Sequence, residues 1–283
     1  MKKGLLVFLL LLAVSIMAGA QSGDALSGRV AAVETWVYTA EMHFGETVEN
    51  WDSHKATTYD TEGNIIEEVE YSSSGKIVSK TEHKYDASYC RVESVQYGSS
   101  GEIERQTRRK CDSSGREIQT DVYDSTGRLT SKSLTEYVGN LAQERGYDAS
   151  GALTFAMDVE KDGSGNITRM VLYDEKTGKP NSVMEDTYTS DGKTLSTLMY
   201  NENGEQLGEI RFSYSYDKDG MDEITTTTLY LAGVPFRNST EGMVILSDSV
   251  GNWTEKRTYK QEEQFGKVQW ILTDVERRTI RYR

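Results

Sequence analysis

The chain has 283 residues, 45 acidic and 32 basic, and a formal charge of −13. That balance disfavours binding to DNA, RNA or an anionic membrane surface. Hydrophobic residues make up only 36%, with 17 Tyr among them, too few to cover both faces of every strand in a two-layer sandwich.

Residues 1–20 read as a secretory signal peptide. Lys2 and Lys3 form the basic start, Leu5 to Ile16 the apolar stretch, and Ala18-Gly19-Ala20 the small-residue cleavage site. No Cys follows the cleavage site, which argues against a lipid anchor, and the apolar run is short for a membrane span. The mature chain keeps 30 basic residues, the 32 less Lys2 and Lys3, against 45 acidic ones, a formal charge of −15. Residues 21–58 are expected to cap the start of a sheet. Val33 to Met42 mixes β-branched and aromatic residues and reads as a strand, with a helix over Ala25–Val37 as the alternative. Trp51 is expected to cover an edge.

From Tyr59 a repeat sets in. Tyr59, Tyr71, Tyr85, Tyr97, Cys111, Tyr123 and Tyr137 follow one another at alternating steps of 12 and 14. Most are followed by Asp, Ser or Gly and by a Gly four residues on, as in Tyr59-Asp60-Thr61-Glu62-Gly63. Asp and Ser start turns by bonding nearby backbone N–H groups. The Gly takes φ > 0 and closes a short loop. Each unit therefore predicts one turn and one strand, and successive strands form an antiparallel meander. Because the steps are even and side chains alternate along a strand, every Tyr is expected on one face. With it come Ile65, Ile77, Ile103 and Leu129, while Glu68, Glu70, Lys80 and Glu82 take the other face. Each Tyr should pack on the aliphatic residue across its own turn.

The pattern loosens through Tyr147, Lys161, Tyr173, Tyr188, Tyr200 and Tyr216. The step from Tyr173 to Tyr188 is 15, and Leu195 and Leu207 come one place late. These odd steps predict bulges. Beyond the repeat region, 59–230, the segment 231–283 continues the sheet. Ile224–Leu231, Met243–Leu246, Trp253–Tyr259, Val268–Thr273 and Val275–Tyr282 read as strands, and Trp253, Phe265, Trp270 and Tyr282 should thicken the core there. The expected fold is all-β, a single extended antiparallel meander curled over its Tyr/Ile face.

Tyr123-Asp124-Ser125-Thr126-Gly127-Arg128-Leu129-Thr130 resembles the YD repeat of RHS-type bacterial proteins. Gly251-Asn252-Trp253-Thr254-Glu255-Lys256-Arg257-Thr258-Tyr259 and Glu276-Arg277-Arg278-Thr279-Ile280-Arg281-Tyr282 are similar to the ending of small secreted proteins of that kind, and Phe44-Gly45-Glu46 fits the same group. The resemblance covers roughly residues 30 to 283. It implies a β-repeat architecture and carries no catalytic residue.

His43, His54 and His83 lie far apart with no ligand spacing, and no Gly-x-Ser-x-Gly occurs. The turn residues Asp60, Asp86, Asp112, Asp124, Asp148, Asp174 and Asp217 supply one carboxylate per turn, short of what calcium takes. The denser loop Asp217–Glu223 has its Gly at the wrong place for an EF-hand. Arg105, Arg108, Arg109 and Lys110 read as a solvated strand face. No catalytic residue, metal or cofactor is expected, and the chain reads as a non-enzymatic scaffold or binding module, secreted, periplasmic or at the cell surface, for a protein or glycan partner. The alternative is a carbohydrate-binding or carbohydrate-processing module that stacks sugars on exposed aromatic residues.

Cys90 and Cys111 are the only cysteines. Pairing Tyr97 with Glu102 across the Gly98–Gly101 turn sets residue 90 opposite 109, and a bulge moves its partner to 110 or 111. A disulfide is the candidate in an oxidising compartment; alternatively Cys111 merely replaces the repeat Tyr.

Overall fold

A computed structural model describes residues 26–43, 46–264 and 266–283. The proposed leader, Phe44, Gly45 and Phe265 lie outside these. Eighteen strands follow in chain order. The first nine are β1 (Val30–His43), β2 (Glu46–Tyr59), β3 (Ile65–Ser72), β4 (Ile77–Tyr85), β5 (Arg91–Gly98), β6 (Ile103–Cys111), β7 (Glu117–Asp124), β8 (Leu129–Val138) and β9 (Leu141–Asp148). The rest are β10 (Leu153–Lys161), β11 (Ile167–Tyr173), β12 (Pro180–Tyr188), β13 (Thr194–Asn201), β14 (Gln206–Lys218), β15 (Met221–Leu231), β16 (Val234–Ser247), β17 (Trp253–Gln264) and β18 (Lys267–Tyr282).

Each strand pairs antiparallel with its neighbours in sequence, and β18 pairs back onto β1 from Val30↔Tyr282 to Thr39↔Asp274. The meander is therefore a closed barrel, not the open curled sheet the composition suggests. Closure removes the two edges that an open sheet leaves unpaired. Followed once around the ring, the register advances by about 22 residues. For 18 strands this stagger corresponds to a tilt of about 40° and a diameter of roughly 35 Å. Side chains fill a barrel of eight strands but not one this wide. The accessible surface is 17550 Å², against about 12,000 Å² for a compact protein of this mass, and the excess is more than 25 fully extended residues contribute.

The turns fall where the repeat places them. In the first, the amide of Gly63 donates to the Asp60 carbonyl and the amide of Asp60 to the Asn64 carbonyl. Gly63 has φ +92°, and the Asp60 carboxylate accepts the amides of Glu62 and Asn64. The Asx-turn explanation suffices for such Asp residues. Tyr59, Tyr71, Tyr97, Tyr123 and Tyr147 each pair with the aliphatic residue across their own turn.

The faces differ from the sequence expectation. Tyr59 pairs with Ile65, but Thr58 pairs with Glu67, so Ile66 is an extra residue. The same skip recurs at Val78, Glu104 and Thr130. In each of these four hairpins one bulge reverses the alternation. Tyr residues from one rim (Tyr59, Tyr85, Tyr137, Tyr188, Tyr214) therefore share a face, and those from the other rim (Tyr71, Tyr97, Tyr123, Tyr173, Tyr200) take the opposite one. Glu68 lies with Thr57 and Thr81, not against them. The 15-residue step arises from a longer turn, Asp174 to Lys179, while Leu195 and Leu207 occupy bulge positions. Residues 268–273 and 275–282 form one continuous strand, β18.

Cys90 and Cys111 form a disulfide with Cα atoms 6.2 Å apart, tying the start of β5 to the end of β6. Trp253 is buried beneath the guanidinium of Arg278 and the ammonium of Lys256. Trp51 is 38% exposed and covers Gly75 at the β3–β4 turn.

The long strands gather in one arc, β14–β18 with β1 and β2. Here hairpins run past their neighbours. Pairing of β1 with β18 stops at Thr39, and pairing of β2 with β3 begins at Ser53, so residues 40–43 pair only with β2 and residues 46–51 only with β1. Pairing of β16 with β17 stops at Glu241↔Lys260, and beyond it each strand keeps only its outer partner.

Candidate functional site

The slot two residues before the rim residue of each 26-residue unit holds Thr57, His83, Arg109, Thr135, Val159, Asp186 and Phe212. All seven share the face of Tyr85 and Tyr188. Ionisable groups on that face, among them Glu68, Arg109 and Asp186, lie deeper in protein than Lys80, Glu82 or Tyr200 on the other. It is the concave face, because side chains converge inside a barrel and diverge outside it.

Between β2 and β7 this face carries a continuous polar row, one residue per strand. Lys55 Nζ lies 2.5 Å from Glu68 Oε1, and Glu68 Oε2 lies 3.1 Å from His83 Nε2. His83 Nδ1 is 2.9 Å from Ser94 Oγ, which accepts a bond of 2.9 Å from an Arg109 guanidinium nitrogen. Arg109 Nε then reaches Glu117 Oε2 at 3.2 Å. The donors balance when the Ser94 hydroxyl donates to Nδ1 and the Nε2 proton goes to Glu68. His83 and Ser94 are direct cross-strand partners, and Glu68 reaches His83 diagonally across the β3–β4 pair. The His83 bond, helped by Lys55 and opposed by burial, holds the Glu68 carboxyl down to about 2. Burial and nearby Arg91 push the Arg109 guanidinium below its usual value, with Glu117 pulling the other way.

Ser94, His83 and Glu68 have the residue types of an acyl-transfer relay. The hydroxyl, however, is buried and held by Arg109, and the surrounding strand amides belong to the ladders. Among the described residues no pair of free N–H groups faces Ser94 to receive an oxyanion. The row links six consecutive strands, β2 to β7.

The opposite arc is apolar. Met157, Met170, Met184, Met199 and Phe212 continue the concave face through β10–β14. Asp186 interrupts it. Its carboxylate accepts a 2.6 Å bond from Thr197, and burial pushes the carboxyl up. Beside it a hollow of about 550 Å³ is lined by Asp162, Asn166, Asp186, Tyr188 and Asp191, among others.

On the convex face four Tyr rings lie under cations. Lys80 lies over Tyr97, Arg108 over Tyr123, Arg145 over Tyr173 and Arg211 over Tyr230, at 4.5–5.7 Å from the ring centres. Trp36, His54 and Tyr71 stack on one another at 4.7 Å. These faces are occupied by protein. The basic cluster of residues 105–110 splits between the faces: Arg105 and Arg109 lie inside, Arg108 and Lys110 outside. Among the described residues no group of three or more His, Cys, Asp or Glu could hold a metal ion. Residues 217–223 span the Asp219–Gly220 turn between β14 and β15.

Neither His83 nor Arg109 stood out by motif. The repeat slot was the available signal, since its residues change from unit to unit while the rim residues keep their spacing.

No protein-family model matches the chain, and no curated protein matches it in sequence. Among solved structures it is similar to a porin-like protein from Bacteroides uniformis ATCC 8492, at 12% identity over 90% of this chain and 98% of that one, with a TM-score of 0.34. A porin-like protein from Bacteroides vulgatus ATCC 8482 is similar at 11% identity, covering 91% and 99%, with a TM-score of 0.27. The TcdB2-TccC3-TEV structure is similar at 11% identity over 83% of this chain and 16% of that one, with a TM-score of 0.19.

Proposed function

We propose that the chain is a secreted, water-filled β-barrel shell that acts in the cell envelope or outside it as a non-enzymatic scaffold or binding module. One observation carries this reading: both faces of the ring bear charged side chains at mid-strand. Convex positions include Glu82, Glu93, Arg108, Asp158, Arg169 and Arg257, and concave positions include Glu68, Arg109 and Asp186. A transmembrane barrel presents lipid with an apolar band about 25 Å tall. This wall offers none on either side, so water bathes both. The saturated polar row supports a structural duty for the inner wall.

The test is the behaviour of residues 21–283 without detergent. A monodisperse species whose sedimentation is unchanged by detergent, and which does not float with vesicles, is expected. A chain that stays in solution only with detergent would reject the reading.

The carbohydrate reading keeps one favourable observation. The hollow beside Asp186 joins three carboxylates to Tyr188, and among the described contacts no cation covers that ring. A glycan array on the same protein, repeated with Asp186→Asn, is its test. A glycan signal lost in the variant would support it, and silence across the array would remove it.

A further inference from the structure

Where β16 and β17 part, the rim has a notch. Below it they pair through Glu241↔Lys260. Above it, residues 234–240 of β16 pair only with β15, and residues 261–264 of β17 pair only with β18. Two strand edges therefore face one gap, each with backbone N–H and C=O groups that no neighbouring strand takes up. Beside it stand the most exposed large apolar residues among those described: Phe236 at 70%, Val234 at 64% and, on the neighbouring hairpin, Val268 at 63%. A second gap opens on the same rim between β18 and β1, beyond Thr39↔Asp274, with Met42 at 52% beside it. The β16–β17 gap is set apart by the more exposed Phe236 and Val234 on its own β16 edge.

Open edges select the occupant. A bilayer would cover Phe236 and Val268, but it would bury unpaired backbone groups in hydrocarbon at several kcal/mol each. An extended polypeptide satisfies both demands, because its main chain completes the ladders and its alternate side chains cover the apolar ones. Pro235 lacks an N–H and shortens the edge offered by β16, which limits uncontrolled edge-to-edge growth.

We propose that this notch is a strand-addition site, which takes an extended segment of another protein with apolar residues at alternate positions between β16 and β17. The proposal deepens the binding-module reading by naming the kind of partner. It is independent of the detergent test, which reports on the wall rather than the rim.

The experiment uses the mature chain with its disulfide intact and a labelled nonapeptide of alternating valine and threonine, with lysine at both ends. A second peptide of the same sequence is N-methylated at alternate residues, so that it cannot pair on one edge. The expected result is saturable binding of the first peptide, lost on N-methylation, with slowed amide exchange confined to residues 234–240 and 261–264. Phe236→Lys, an exposed position whose change leaves the ring intact, should weaken binding about tenfold. Equal binding of the N-methylated peptide, protection elsewhere, or no binding would overturn the proposal. So would vesicle binding that Phe236→Lys abolishes, which would point to a bilayer. Concentration-dependent dimers that protect the same amides without peptide would overturn it in favour of a second copy.

Discussion

The ring consists of two unlike arcs. From β3 to β13 the strands are 7–10 residues long and each is paired along most of its length on both sides. From β14 through β18 to β1 and β2 they run to 11–16 residues, and several are half unpaired. The regular arc is built by local chemistry, with a turn in every hairpin, a bulge in every hairpin but β8–β9, and a Tyr–aliphatic pair in β3–β4, β5–β6, β7–β8 and β9–β10. The long arc holds the seam, where Val30–Thr39 must find Asp274–Tyr282 across almost the whole chain. Periodicity builds the wall, and a long-range pairing that no repeat encodes closes it.

Cutting the seam should have the largest effect. Removing residues 267–283 takes away β18 and exposes the edges of β17 and β1. The truncated chain should associate or precipitate, as bare edges do, while full-length protein stays monodisperse in gel filtration. In the regular arc, His83→Ala takes from Glu68 and Ser94 the partner they share. It should cost about 2 kcal/mol by urea denaturation, whereas Thr135→Ala in the equivalent slot should cost less. Opening the disulfide by changing Cys90 and Cys111 to Ser should cost up to about 3 kcal/mol for a loop of this length, and less because the β5–β6 ladder already holds the ends. Gly75→Ala, at φ +74°, should cost about 1 kcal/mol.

The polar row also predicts a pH dependence. The Glu68 carboxyl falls from an ordinary 4.5 to about 2 in the folded protein. The unfolded chain therefore binds its proton first as pH drops. The stabilisation is complete above pH 4.5 and is lost as pH falls toward 2. Glu68→Gln should lower stability at neutral pH and flatten that part of the acid limb. An unaltered acid limb would remove Glu68 from the account.

Much of the wall was legible in the sequence, because turn residues and strand lengths are local. Asp60 and Gly63 announce their turn, and Tyr59 finds Ile65 with no help from distant residues. The facing of each strand was not legible. A 12-residue step looks even, yet Ile66 is an extra residue and turns the next strand over. Closure was not legible either, since it depends on stagger accumulated over every pair and on a match between Glu34 and Thr279. The site lay between these cases. His83, Arg109 and Asp186 occupy one slot of the repeat, but spacing along the chain says nothing of Ser94 and Glu68, which only the register brings to His83.

Closure is the central claim, and a distance across the seam tests it most directly. Glu34 and Thr279 are exposed partners on β1 and β18. Spin labels placed there as Glu34→Cys and Thr279→Cys, with Cys90 and Cys111 paired, can be measured by pulsed electron resonance. A closed ring predicts a short separation, under about 20 Å with the label arms included. An open sheet of 18 strands spaced about 4.8 Å apart would put them roughly 80 Å apart, and a distance near that value would contradict the barrel.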